Sequence, residues 1–238
     1  MKTVVITGAG SGIGLALAKR YVSLGYRVIA TKLENQETPF KSDHIKFVNV
    51  NFLEDNLQAW MNTLPKEIDV FIANAGAGSY EENSIPKQND PLYRLNTLTP
   101  INQYFLLKNN AFKGTFVVMG SVMAIWPLPG YARFSHTKGA LVTYFKALQA
   151  TDNIPIVIML PVAIKTKFFE TAKQAHAPWL AQNPDTISKK MIKVIHKQKR
   201  VWISSKLFTL LYKISPSILR FYLKRENKIY QTTFNEEQ

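Results

Sequence analysis

Apolar residues come in short blocks along this chain, separated by stretches in which they recur every three or four positions. Blocks at 3–7, 27–31, 45–50, 69–73, 115–119 and 155–160 have the length and β-branched content of strands buried on both faces. Helical spacing fills 13–24, 56–64, 92–109 and 133–149, and Gly25 ends the first of these helices. Strand and helix alternate, which predicts one α/β domain: a parallel sheet, doubly wound, with helices on both faces. The second crossover is irregular. About a dozen residues, Pro39 among them, lie between the second and third strands, leaving little room for a covering helix.

Composition narrows the class. A chain of 238 residues with 46% apolar and 19% charged residues suits one globular domain and argues against wholesale disorder. There is no cysteine, which excludes a disulfide framework, a thiolate metal site and a cysteine nucleophile. His44, His136, His176 and His196 are scattered without ligand spacing, so no metal is expected.

The formal charge of +14 is unevenly placed. Between Lys189 and Lys228 stand twelve Lys/Arg against a single acid, Glu226. The reading is a domain over 1–187, including a substrate lid, and a basic amphipathic extension over 188–238 packed on or beside it. The first strand begins almost at Met1, so no cleavable signal peptide is expected before it. The longest apolar stretch, 207–223, is broken by Lys213, Pro216 and Arg220 and falls short of the about 20 residues a membrane span needs. A cytoplasmic protein is expected, with contact to a membrane surface through the extension kept open; no nucleic-acid-binding module accompanies the charge.

The run Thr7-Gly8-Ala9-Gly10-Ser11-Gly12-Ile13-Gly14 sits between the first strand and the first helix. Glycine lets the backbone turn tightly and approach a pyrophosphate, while the helix N-terminus offers unpaired N–H groups to the anion. The bland alternative is a tight turn with no ligand. The spacing resembles the Thr-Gly-x-x-x-Gly-x-Gly motif of the short-chain dehydrogenase/reductase family, and the resemblance runs to Thr166, about 70% of the chain. It implies a Rossmann-like fold and a nicotinamide dinucleotide held by Gly8, Ser11, Gly12, Ile13 and Gly14.

Further segments match in order. Asn74-Ala75-Gly76 after the fourth strand is similar to the family's Asn-Ala-Gly run beside the cofactor ribose. Asn51 takes the place of an aspartate that contacts adenine, and its carbonyl oxygen still accepts a hydrogen bond. Lys32 stands where an NAD-specific site carries an acid for the ribose 2′-hydroxyl. A cation there favours the 2′-phosphate, so NADP(H) is expected over NAD(H); the plain alternative is an exposed lysine at a strand end. Pro161-Val162-Ala163-Ile164-Lys165-Thr166 resembles the Pro-Gly-x-x-x-Thr run, which implies that Pro161, the Ile164 backbone and the Thr166 hydroxyl lie against the nicotinamide. Thr166 is equally readable as a helix cap.

The chemistry-bearing run extends from Gly120 to Leu141. In the family a serine follows the fifth strand and a Tyr-x-x-x-Lys pair comes thirteen residues later. Ser121 and Lys138 match, Asn96 matches the fourth catalytic position, and position 134 holds phenylalanine instead of tyrosine. Carbonyl reduction needs a proton on oxygen. A phenol one helical turn from a lysine supplies it, because the ammonium lowers the phenol's pKa. Ser121 would bond the substrate oxygen, Asn96 would hold a water relay, and Lys138 would also reach the nicotinamide ribose.

Phe134 keeps the ring and lacks the hydroxyl. The expectation is therefore an NADP(H)-dependent oxidoreductase for a carbonyl–alcohol pair, strongly impaired at this position. It stays open whether the phenylalanine replaces a tyrosine in a working enzyme or belongs to a naturally non-catalytic NADP(H)-binding or scaffold protein. Tyr131 and His136 are weaker proton donors, by position. Phe168, Phe169, Trp179, Leu180 and Trp126 suggest an apolar substrate pocket, or ordinary lid packing. The family resemblance implies a small-molecule substrate and a homodimer or homotetramer.

Overall fold

The computed structural model describes residues 1–80, 89–166 and 181–214. Seven strands form one parallel sheet: β1 (Thr3–Ile6), β2 (Arg27–Lys32), β3 (Ile45–Asn49), β4 (Val70–Ala73), β5 (Thr115–Met119), β6 (Ile156–Leu160) and β7 (Val201–Ile203). Their order is β3-β2-β1-β4-β5-β6-β7, so the winding reverses between β1 and β4. Ligands of doubly wound folds bind at that reversal, outside the carboxyl ends of the strands. Val5 pairs with Ile29 on one side and Phe71 on the other, and β1, β4, β5 and β6 are buried along their whole length. That is why these strands read as unbroken apolar blocks.

Helices cover both faces. On one lie α1 (Gly12–Ser23) and α6 (Pro184–His196), with Leu17 and Tyr21 packed in one cluster with Ile187, Met191 and Ile195. On the other lie α2 (Leu57–Asn62), α4 (Thr99–Asn109) and α5 (Ala132–Thr151). Trp60, Tyr104, Leu141 and Phe145 of these helices join Phe71 and Phe116 of the sheet. The rings of Phe71 and Phe116 stack with centroids 5.5 Å apart, and Phe145 stacks on Phe116 at the same separation.

All six expected strands are present, and no helix lies between β2 and β3. β3 is accordingly only half-buried, with Phe40 of the crossover packed edge-on against Phe47 at 5.7 Å. Three features differ from the expectation. The helix foreseen over 92–109 comprises α3 (Pro91–Tyr93), a π-helical turn at Arg94–Leu98, and α4. Pro100 has no N–H to give the carbonyl of Asn96 one turn back, and the wider turn accommodates this.

The seventh strand, only three residues long, follows Lys199 and Arg200 and so was hidden inside the basic stretch. α6, capped by Asn183 through a 2.8 Å bond from the Asp185 N–H, runs across the expected boundary near Ser188. Ser188 itself is fully buried, so residues 184–203 are layers of the domain. A further helix, α7 (Lys206–Ile214), follows β7. Among the described residues no helix is long and apolar enough to cross a membrane.

Candidate active site

The glycine loop leaves β1 at the point of reversal and is anchored by Thr7. The Thr7 hydroxyl accepts the N–H groups of Asn74 and Ala75, each at 3.0 Å, joining the end of β1 to the end of β4. Asn74 reciprocates, its amide donating to the carbonyls of Thr7 and Gly8 at 2.9 Å. Gly8 adopts φ +65°, and its N–H donates to the Thr31 hydroxyl at 2.9 Å. There is no room for side chains: a Cβ on Gly8 would lie 2.7 Å from the Ala75 Cα, and one on Gly14 would lie 2.4 Å from the Gly8 carbonyl oxygen.

Ser11 leads into α1 without capping it, and the first turn of the helix carries no acid. The N–H groups of Gly12, Ile13 and Gly14 are therefore left to an outside acceptor. A cavity of about 690 Å³ opens there, bordered by Gly10, Ser11, Gly12, Lys19, Lys165 and Thr166. Loop, helix end and cavity fit the pyrophosphate of a dinucleotide. A larger hollow of about 1350 Å³ lies at the opposite end of the sheet, against Lys2, Asp69 and Gly114, away from every residue expected in the site.

Two expected cofactor residues already hold partners within their own turns. Lys32 is only 7% exposed, and its ammonium donates to the carbonyls of Gln36 at 2.6 Å and Leu33 at 3.3 Å instead of standing free at the strand end. The same turn brings the Gln36 amide against Gly10, where a Cβ would lie 2.1 Å from Gln36 Oε1. Gln36 went unremarked in the sequence because no spacing rule marks a turn that folds back on the glycine loop. Asn51 caps its own turn, accepting the Leu53 N–H at 3.1 Å.

The second half of the site assembles around Gly76. A Cβ there would lie 2.7 Å from Asn96 Oδ1 and 3.3 Å from Lys138 Nζ, so both groups meet at this glycine. Asn96 lies in the π turn and is fully buried. Its Oδ1 accepts from the Ala77 N–H at 3.0 Å, and its amide donates to the Ala77 carbonyl at 2.9 Å and to the Thr137 hydroxyl at 3.1 Å. Thr137 in turn donates to the Phe134 carbonyl at 2.8 Å, and Thr97 donates to the Thr137 carbonyl at 2.9 Å. The π turn and α5 are thus bonded together at the level of Phe134. Thr137 had no mark in the sequence beyond lying between Phe134 and Lys138.

Lys138 Nζ donates to the Met119 carbonyl at 3.0 Å and stands 5.9 Å from the centroid of the Phe134 ring. Burial lowers its pKa from 10.5 to about 8. Phe134 is 5% exposed in a small apolar cluster with Leu92, Met123 and Tyr131. Ser121, at the end of β5, accepts the Met123 N–H at 3.1 Å. Tyr131 is fully buried, edge-on to Tyr80 at 5.2 Å, and burial pushes its phenol up to about 12. Exposed His136 stacks on Tyr93 at 5.6 Å.

An ion pair holds the start of α5. Arg133 Nε donates to Asp90 Oδ2 at 2.6 Å and its Nη2 to Asp90 Oδ1, and Asp90 also accepts the Leu92 N–H at 2.8 Å. The Arg133 guanidinium, helped by that N–H, holds the Asp90 carboxyl below the usual carboxylate range. The residue next to Phe134 is thereby tied to the helical stretch that carries Asn96.

Pro161 accepts the Val122 N–H at 2.9 Å, Ile164 is buried in a bridge to Gln182, and Thr166 lies beside Gly12, 3.1 Å from a Cβ built there. Trp126, expected near a substrate pocket, is buried beneath α7 with its ring 5.3 Å from Phe208. Phe168, Phe169, Trp179 and Leu180 lie outside the described residues.

The depressed Lys138 pKa makes stability depend on pH. The unfolded chain binds the proton more tightly, so this contribution is fully present above about 10.5 and is lost as pH falls through about 8. Relative to Lys138→Met, the protein should gain on the order of 3 kcal/mol across that window. Denaturant melts at several pH values measure the difference, and a flat difference would show that the amine is not desolvated.

A doubly wound sheet, a tight glycine-rich turn into a helix at its point of reversal, and an Asn96–Lys138 pair meeting at Gly76 beside that turn define a nucleotide-binding α/β fold. The family profile described as short chain dehydrogenase matches residues 2–177, and the chain belongs to that family. It is 28% identical over 210 residues to a dehydrogenase/reductase SDR family protein 7-like protein of Dictyostelium discoideum, a match covering 76% of this chain and 65% of that one. It is 27% identical over 188 residues to the 3-oxoacyl-(acyl-carrier-protein) reductase of Buchnera aphidicola, covering 71% and 76% respectively.

Among solved structures, the short-chain dehydrogenase from Sphingobium yanoikuyae in complex with NADPH superposes with a TM-score of 0.73 at 16% identity, over 98% of this chain and 96% of that one. A 4-hydroxyisoleucine dehydrogenase complexed with NADH gives 0.67 at 21%, over 86% and 98%. At such identities these superpositions establish the shared fold.

Proposed function

We propose that this chain binds NADP(H) and belongs to the carbonyl–alcohol branch of its family, with an apolar small molecule as substrate and with Phe134 withholding the proton that turnover needs. The observation that carries the reading is the meeting of Asn96 Oδ1 and Lys138 Nζ at Gly76, one residue beyond the Ala75 that closes on the glycine loop. When bound, the reduced dinucleotide supplies hydride. Gly8, Ser11, Gly12, Ile13 and Gly14 would hold its pyrophosphate, Asn74 to Gly76 its ribose, and Ile164 and Thr166 its carboxamide. Lys138 holds positive charge beside the reacting oxygen, Ser121 Oγ offers that oxygen a hydrogen bond, and Phe134 excludes water without giving a proton.

One observation favours a second reading, a dinucleotide-binding protein without turnover. The side chains of Leu92, Met123 and Tyr131 surround Phe134 with apolar surface, which suits a ring that carries no hydroxyl.

Lys32 supports the choice of NADP(H). Its ammonium already collects two carbonyl oxygens of the 33–36 turn and would exchange them for oxygens of a 2′-phosphate, a stronger charge-assisted partner. Calorimetric titration should show NADPH bound at least roughly tenfold more tightly than NADH, with Lys32→Ala erasing the preference. Equal affinities in the parent protein would overturn this choice, and no binding of either nucleotide would overturn the whole reading.

A further inference from the structure

We propose that α7 is a docking surface for an anionic lipid bilayer. The helix has two apolar sides. One is spent on the domain: Phe208 and Leu211 pack against the core cluster, and the rings of Phe208 and Tyr212 stand edge-on to Trp126 at 5.3 and 6.0 Å. The other faces outward. Leu207 is 59% exposed and Leu210 54%, three positions apart and therefore on one face of the helix. They are the most exposed large apolar side chains among the described residues after Met1. A helix too short to span a membrane but holding two leucines outward from a fixed base can place them at the headgroup–acyl boundary.

Charge selects the occupant. From Lys206 to Lys228 the sequence carries Lys206, Lys213, Arg220, Lys224, Arg225 and Lys228 against Glu226 alone. An apolar stripe within so one-sided a run matches an anionic lipid surface, where each basic side chain adds attraction and the leucines add insertion. Two copies of this chain meeting here would instead bring like charges together. Tyr212 marks the polar margin of the helix: its hydroxyl is 3.0 Å from Lys146 Nζ of α5, an amphipathic pairing suited to a wet interface.

The test is co-sedimentation of the full chain with phosphatidylcholine vesicles and with vesicles that also contain phosphatidylserine, at low and high salt. Binding is expected only with phosphatidylserine, released by salt, and weakened roughly tenfold or more in the double variant Leu207→Asp/Leu210→Asp. Circular dichroism melts should show that variant folded like the parent, since both side chains are more than half exposed. Equal binding to both vesicle types, no binding to either, or undiminished binding by the double variant would each overturn the proposal. A parent dimer that the double variant dissociates, with vesicle binding untouched, would assign the face to a second copy instead.

Discussion

Phe134→Tyr is expected to raise kcat/KM for ketone reduction with NADPH by roughly 10²–10⁴-fold, the contribution of a positioned general acid. That corresponds to about 3–5 kcal/mol of barrier. The pieces that make a phenol effective are already in place. Lys138 Nζ is 5.9 Å from the ring centroid, and with its pKa at about 8 it is a cation through neutral pH. The Asn96–Thr137–Phe134 chain of hydrogen bonds fixes the backbone from which the ring projects.

The gain should fade above about pH 8 as the ammonium that lowers the phenol's pKa discharges. A modest stability cost of about 1–2 kcal/mol should accompany it, because the hydroxyl enters the cluster of Leu92, Met123 and Tyr131. NADPH affinity should not move. If the tyrosine variant binds NADPH normally and reduces no member of a broad ketone and aldehyde panel, the second reading, binding without turnover, takes over.

Gly14→Val should abolish measurable NADPH binding, a loss of at least roughly a hundredfold, and destabilise the fold by about 3 kcal/mol or more. The first branch atom would stand 2.4 Å from the Gly8 carbonyl oxygen and 2.6 Å from Asn74 Nδ2. Neither neighbour can retreat: Gly8 is pinned by its bond to Thr31, and Asn74 by its bonds to Thr7 and Gly8. Relief must come from moving α1 away from the ends of β1 and β4, which dismantles the anion cradle.

Gly25→Ala makes the control. Its Cβ would meet nothing within 4 Å, so the positive φ of 77° costs about 1–2 kcal/mol and NADPH binding should be unchanged. Isothermal titration and denaturant melts separate the two effects. Normal nucleotide affinity in Gly14→Val would remove the glycine loop from the cofactor site.

The sheet was legible because β1, β4, β5 and β6 are buried along their whole length and nearly all of β2 is, so their blocks stand out against charged turns, and the half-buried β3 still shows an apolar block. β7 was not, since Val201-Trp202-Ile203 is too short to show a period and sits directly after Lys199-Arg200. The extended helix over 92–109 was visible as one run of apolar spacing. The π turn at its start was not, because it depends on Pro100 withholding one donor and on Asn96 finding partners in Ala77 and Thr137.

Gly8, Ser121, Phe134 and Lys138 were marked as candidates by the resemblance of their runs to the short-chain dehydrogenase/reductase motifs. Gln36 against Gly10 and Arg133 on Asp90 were not, because nothing local in a sequence says which turn will fold onto which loop. Lys32 shows the limit in reverse: its position was foreseen, but its binding to the carbonyls of its own turn was not.

The short segment from Asn74 to Gly76 has two neighbours at once. Ala75 closes on Gly8 of the nucleotide cradle, and Gly76 separates Asn96 from Lys138. Occupancy of the two halves is therefore not independent. On the proposed reading, a nucleotide that fixes this segment would also fix the gap a carbonyl compound enters, and the compound would lend the same coupling free energy back to nucleotide retention.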